Sequence, residues 1–204
     1  MPPLLKPDES ILLILDPRPH HLDRLDSSAR EPTIRKLAMA HRAAQVANVP
    51  AYLASNGPLQ PAETWIPLGP GLIAARNTHA LPHATDKWDE SPLGKALTAT
   101  NRANLVLCGF WLECTVTFTA LTTIVEGIDV SILMDATPSW LAETKQPAID
   151  RLMQAGVVPM TTAQMVMEWA EVETSLTLKQ ELIALLPVSR SLNAISVHCN
   201  VPAE

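Results

Sequence analysis

The sequence predicts an α/β fold built on a parallel sheet. Three observations predict it. Short apolar runs such as "SILLIL" and "NLVLCG" have the length and continuity of strands buried on both faces. Segments with helical apolar spacing separate them. The two kinds alternate at short intervals along the chain, the pattern of repeated βα units.

The elements follow in order. "SILLILD", residues 10–16, is a strand ending in an acid. "PRPHHLDRLDSS" carries Pro17 and Pro19 and reads as a loop. "EPTIRKLAMAHRAAQVANVP" is an amphipathic helix with Pro32 near its start, where proline is tolerated. "PAYLAS" is a second strand. Residues 56–87 are rich in Pro, Gly, His and Trp and show little regular pattern. Long excursions of this kind are often functional or lie at an interface. "SPLGKALTATNR" offers a serine cap, a first-turn proline and a helix, and "NLVLCGF" is a strand. "CTVTFTALTTIVEG" is a helix closed by Gly127. "IDVSILMDA" is a strand, "KQPAIDRLMQAG" a helix, and "VVPMTTAQMVMEWAEV" a short strand followed by a capped helix.

Composition narrows the function. The chain has 204 residues, 47% of them apolar, which fits one domain spanning 1–204 with a well-buried core. Net charge is −6 with both signs mixed, so neither a nucleic-acid footprint nor a polybasic membrane patch is expected. No apolar run reaches the roughly 18–20 residues of a membrane span. The N-terminus "MPPLLKPDES" lacks the basic start and apolar core of a signal peptide. With three cysteines, Cys108, Cys114 and Cys199, a reducing cytoplasmic location is the expectation.

Ligands of open α/β sheets bind beyond the carboxyl ends of strands. Asp16 and the adjacent pair Cys114–Thr115 both sit at such ends. A thiol at a strand-to-helix turn is a candidate nucleophile. The helix dipole stabilises its thiolate, a nearby carboxylate can take its proton, and free backbone N–H groups can hold an oxyanion.

The order of these motifs resembles the isochorismatase-like hydrolases, also called the cysteine hydrolase superfamily. The resemblance rests on the strand ending in Asp16, on "DKWDE" (86–90), on "GFWLECT" (109–115) and on "LMQAGVVPMTT" (152–162). These parallel a "NAWD"-like step, a "GVWTEVC"-like turn and a "MVQAGVVPITW"-like tail. The similarity runs from about Ile11 to Val172. It implies a three-layer αβα sandwich around a mostly parallel, about six-stranded, Rossmann-like sheet, usually in a homo-oligomer. It also implies an Asp base, a supporting Lys and a Cys nucleophile.

Carried over residue by residue, the Asp falls on Asp16, followed by Pro17 and Arg18 where the family has "D-x-Q". Counting from Trp88 to Trp111 without a gap puts the family cysteine on Thr115 and leaves Cys114 one place early. Cys114 then reads as a small core residue. The lysine position falls near Leu81 or Pro82, with His79, His83 and Lys87 as replacements. His79 and His83 are four apart, but Pro82 lies between them and no third ligand is evident. No metal or cofactor is expected. His20 and His21 follow Asp16 and read as a surface loop pair or a general base. Leu81, His83, Lys87, Trp88, Trp111 and Phe118 are candidate pocket residues, and Glu113 matches an acid that supports the turn.

Three functions stay open at this level. The chain is a family member with a degenerate triad, weakly active or inactive as a thiol hydrolase but keeping a small-molecule pocket. Or it is an active amide, nitrile or vinyl-ether hydrolase with a rewired site using Cys114 and Asp16. Or it is a structural, oligomeric protein. Residues 175–204 read as an additional segment. Its stripe "LKQELIALL" would suit an oligomer-contact arm.

Overall fold

The structure is a computed structural model that describes residues 4–56, 65–66, 68, 77–82 and 86–186. Six strands form one parallel sheet: β1 (Ser10–Leu15), β2 (Ala51–Ser55), β3 (Thr78–Ala80), β4 (Asn104–Gly109), β5 (Asp129–Leu133) and β6 (Val158–Met160). Their order is β3-β2-β1-β4-β5-β6. The chain runs outward from β1 to β3, then crosses back to β4 and runs out the other way. The direction reverses between β1 and β4, where an open α/β sheet leaves a crevice at its carboxyl edge.

Burial follows from the pleat. Every residue of β1 is buried, and alternate residues serve opposite faces. Leu12 and Ile14, with Val106 and Cys108 of β4, meet one helical layer. It is formed by α2 (Ser27–Val46), α6 (Thr162–Val172) and α7 (Leu176–Ala184), through Leu37, Trp169 and Leu182 among others. Ile11, Leu13 and Leu15, with Leu105 and Leu107, meet the other layer. It is formed by α3 (Pro92–Thr98), α4 (Thr117–Val125) and α5 (Ala142–Gln154), through Leu93, Ala120 and Leu152. The expected αβα sandwich is present. Among the described residues, no helix is long and apolar enough to cross a membrane.

Caps fall where the sequence placed them. Ser91 accepts from the Gly94 N–H at the start of α3. Thr161 and Gln164 form a capping box at the start of α6, each side chain meeting the other's backbone N–H.

Three expectations are corrected, and the packing of the C-terminal stripe is added to them. Pro32 lies six residues into α2, because that helix begins at Ser27. Pro32 has no N–H for the Ser28 carbonyl, and the next carbonyl, Ala29, takes the Thr33 hydroxyl at 2.9 Å. The loop after Asp16 contains a one-turn helix, α1 (Pro19–Leu22), opened by Pro19. The patternless excursion contains β3, a three-residue edge strand whose burial shows no alternation. The stripe of the C-terminal segment is used inside the chain. Leu182 and Leu186 are buried against the first layer, since α7 packs on α6 and α2. Residues 187–204, with Cys199, lie outside the described residues.

The β1–β4 contact depends on Gly109. Its φ is +115°, and a Cβ there would stand 2.0 Å from the Leu15 carbonyl oxygen. That carbonyl accepts the Phe110 N–H at 2.9 Å, which holds the end of β4 against the end of β1. Gly109→Ala is therefore expected to destabilise the fold by about 2–4 kcal/mol. Urea denaturation followed by tryptophan fluorescence measures this, and an unchanged midpoint would contradict it.

Candidate functional site

Asp16 follows the last residue of β1 in a left-handed conformation, φ +50°, which aspartate tolerates better than most residues. The backbone turns sharply there, with the Arg18 N–H donating to the Asp16 carbonyl at 2.7 Å. This turn brings the next residues back onto the Asp16 side chain, which is 2% exposed. Arg18 grips the carboxylate with Nε 2.6 Å from Oδ1 and Nη2 2.8 Å from Oδ2. From α1, His21 Nε2 lies 2.9 Å from Oδ2. The Trp111 indole N–H donates to His21 Nδ1 at 3.0 Å. Since Nδ1 accepts, this network assigns the ring proton to Nε2, which donates to Asp16. Burial pushes the Asp16 carboxyl up, but the His21 and Arg18 hydrogen bonds outweigh it and hold it below the ordinary aspartate value. His21 is itself buried, stacked on Phe110 at 5.2 Å. The expectation of a surface histidine pair is corrected for His21, because the turn at Asp16 folds α1 inward.

The second half of the site follows β4. Phe110 and Trp111 lead into a π-helical turn, Leu112–Val116, which passes into α4. The wider turn is held by i→i−5 contacts. The Val116 N–H and the Thr117 hydroxyl reach back to the Trp111 and Leu112 carbonyls, at 3.1 and 2.5 Å. Glu113 fastens it from outside, accepting from the Ser139 hydroxyl, the Trp140 N–H at 2.9 Å and the Thr144 hydroxyl at 2.7 Å. Burial raises the Glu113 carboxyl, and these donors more than offset it, leaving it below its usual value. Its part is support of the turn.

Within that turn the two candidate nucleophiles diverge. The Thr115 hydroxyl accepts from Asn56 Nδ2 at 2.9 Å. Among the described residues, Cys114 Sγ makes long contacts, 3.9 Å to the Trp111 carbonyl and 3.9 Å to Thr115 Oγ1. Neither side chain hydrogen-bonds Asp16, whose partners among the described residues are Arg18 and His21.

A cavity of about 220 Å³ opens beside Thr115, beyond the carboxyl ends of β2, β3 and β4. Its wall is apolar at Leu81, Pro82, Trp88 and Phe118, and polar at Asn56, Asp86, Thr115, Thr119 and Thr122. Of the pocket residues expected from the sequence, Leu81, Trp88 and Phe118 meet here, beside the nucleophile candidate Thr115. Trp111 does not line this cavity; it is buried on His21 and edge-on to Phe110. Lys87 is exposed and pairs with Glu90 at 2.8 Å, on the rim of an adjoining cleft. His83 lies outside the described residues. His79 stands on β3, where burial pushes its ring toward the neutral form. Among the described residues, no three His, Cys, Asp or Glu side chains gather to hold a metal.

Arg18 and Asn56 are site residues that the sequence did not single out, whereas His21 was weighed there with His20 as a surface pair or a general base. Arg18 was visible as a departure from "D-x-Q", two places after Asp16. Nothing local marks Asn56, which meets Thr115 across 59 residues of chain.

Comparison with known proteins bears on this geometry. The profile of the isochorismatase domain matches residues 10–164. A probable hydrolase, YcaC of Escherichia coli, is 36% identical over 107 residues, which is 52% of this chain and 48% of that protein. The chain thus aligns over about half the length of that relative. Among solved structures, the Escherichia coli YcaC gene product, an octameric hydrolase of unknown specificity, superposes with TM-score 0.73 at 23% identity. That superposition covers 97% of this chain and 98% of the other. YcaC from Pseudomonas aeruginosa gives 0.74 at 21%, covering 95% and 97%. The MAR1 ribonuclease of Caenorhabditis elegans gives 0.73 at 19%, covering 98% of each chain. At these identities the structural likenesses establish the fold.

The Asp16 network predicts a pH signature. A carboxyl with a depressed folded pKa adds stability above its unfolded value, near 3.9, and loses it as pH falls through the folded value. Asp16→Asn should destabilise the protein by about 1–3 kcal/mol at pH 7. The gap between wild type and variant should narrow from about pH 5 to pH 3. Urea titrations across that range measure it, and a constant gap would show that Asp16 gains nothing from its partners.

Proposed function

The chain belongs to the isochorismatase family, and from that premise we propose that it is a hydrolase homologue with an altered triad, weakly active or inactive as a thiol hydrolase. In this reading the acid is kept at Asp16, the lysine position is replaced near Leu81 and Pro82, and the cysteine position is Thr115. The observation that supports it is the engagement of both Asp16 oxygens by Arg18 and His21. A general base must reach the proton it takes, and Asp16 reaches neither Cys114 nor Thr115. A threonine hydroxyl is far less acidic than a thiol and needs a stronger base still. Arg18 supplies beside Asp16 the positive charge that the family's lysine would bring. What remains is a cavity beside Thr115, suited to a small ligand.

The rewired alternative, with Cys114 as nucleophile, lacks geometric support. Sγ faces a carbonyl and a hydroxyl, not a base, and Lys87 is turned to Glu90.

The test uses purified protein with primary-amide, nitrile and vinyl-ether substrates, together with alkylation of Cys114 followed by peptide mapping. No saturable turnover above that of Asp16→Asn is expected, with Cys114 alkylated no faster than an ordinary thiol. Enzyme-like turnover abolished by Thr115→Ala or Cys114→Ala would overturn the proposal.

We further propose a homo-oligomer. Phe118, Trp140 and Leu141 are 56%, 51% and 48% exposed around the mouth of the turn, more large apolar surface than isolated side chains require. One structural neighbour is octameric. Light scattering after size-exclusion chromatography should give a multiple of 22.2 kDa, and Trp140→Ala with Phe118→Ser should lower it. A wild-type monomer would contradict the proposal.

A further inference from the structure

Threonines crowd the turn and helix after β4, at positions 115, 117, 119, 122 and 123. The structure sorts them by use. Thr117 and Thr123 turn back into the helix, their hydroxyls donating to the Leu112 and Thr119 carbonyls at 2.5 and 2.7 Å. Thr115, Thr119 and Thr122 line the cavity of about 220 Å³ instead. Their spacing of four and then three residues aligns side chains along one helical face. Thr115 and Thr119 are 8% and 6% exposed, so the space they meet outside the protein is the cavity.

The direction of one hydrogen bond decides what Thr115 offers. A hydroxyl carries two acceptor lone pairs and one proton. Thr115 Oγ1 accepts from Asn56 Nδ2 at 2.9 Å. Asn56 therefore occupies a lone pair and leaves the proton to be donated. Among the described residues that proton finds the Cys114 sulfur, a weak acceptor at 3.9 Å. A carbonyl oxygen in the cavity is a far stronger one. The wall is apolar at Leu81, Pro82, Trp88 and Phe118, which favours a flat apolar body. Pockets for drug-sized ligands enclose roughly 300–1,000 Å³, so this volume suits one substituted ring.

We infer that the cavity takes a small flat molecule through its carbonyl oxygen, which accepts from the Thr115 hydroxyl. Asn56 is the positioning residue that aims this donor, and Thr119 supplies a second hydroxyl on the same face. The threonine is then a recognition group. It holds a carbonyl oxygen where a thiolate would attack a carbonyl carbon. Ligands without an acceptor at that point keep the apolar contact and lose the polar one. This inference rests on the proposed reading of the cavity as a retained ligand site.

Acetophenone and isopropenylbenzene test it, because they share ring and shape and differ only in C=O against C=CH2. Ligand-observed NMR titration of the full chain gives both dissociation constants. Acetophenone should bind about 3- to 10-fold more tightly, the scale of one neutral hydrogen bond. Thr115→Ser keeps the hydroxyl and should keep that preference. Thr115→Val removes the donor at similar bulk and should make the two ligands equal. Asn56→Asp replaces the amide donor with an acceptor, so the Thr115 proton turns to the new carboxylate. That variant should cut the preference below about 2-fold and leave isopropenylbenzene unaffected. Asn56 is exposed, so its substitution spares the fold. A merely structural role would weaken both ligands alike and leave their ratio unchanged. Equal binding by the wild type, a preference that survives Thr115→Val or Asn56→Asp, its loss in Thr115→Ser, or no binding of either ligand at millimolar concentration would overturn the inference. Ammonia release from benzamide is followed in parallel. Release abolished by Cys114→Ala, with the carbonyl preference intact, would sink the altered-triad reading and leave this inference standing. No release together with equal binding of the two ligands would do the reverse.

Discussion

A carboxylate buried at the carboxyl end of the central strand must be compensated, and the local structure at this edge of the sheet is organised by how that happens. Leaving such a charge unpaired costs several kcal/mol. Asp16 is 2% exposed, so its two oxygens need donors that arrive without solvent. Arg18 and His21 donate hydrogen bonds to Oδ2, and the Arg18 guanidinium pairs by charge with Oδ1, which requires the left-handed turn at Asp16 and the short helix that follows. His21 in turn needs an indole donor, which draws Trp111 inward. The chain after β1 and the chain after β4 are tied together by this one requirement.

The same compensation is what motivates the proposed altered triad. In a thiol hydrolase the carboxylate must stay available to a nucleophile. Here the forked guanidinium and the imidazole occupy it, and the hydroxyl at the turn takes its hydrogen bond from Asn56 instead. The two halves of the site are adjacent along the sheet edge yet electrostatically separate. One is a closed ion-pair network, and the other is an open cavity with a single acid in its described wall.

Support from outside keeps the turn in place regardless of its chemistry. Glu113 binds the segment after β5 through several donors. Asp135, also after β5, accepts from the Thr162 N–H and hydroxyl at the start of α6 and pairs with Lys36 of α2 at 3.0 Å. The partners of both acids make them fasteners. An acid near a catalytic turn declares its role only through its partners.

By itself the sequence determined the alternating strands and helices, the central buried strand ending in Asp16, the serine cap at Ser91 and the capped start of the helix after β6. Each of these rests on local pattern, either apolar periodicity or cap chemistry, and local pattern is what sequence preserves. Only the tertiary structure decided that Arg18 and His21 close on Asp16, that Asn56 meets Thr115, that Trp111 turns away from the cavity while Trp88 and Phe118 line it, and that α7 packs on its own chain. Those outcomes depend on a backbone turn of positive φ and on contacts between segments tens of residues apart. Burial and charge balance over the whole fold select such contacts, and no short stretch of sequence encodes them.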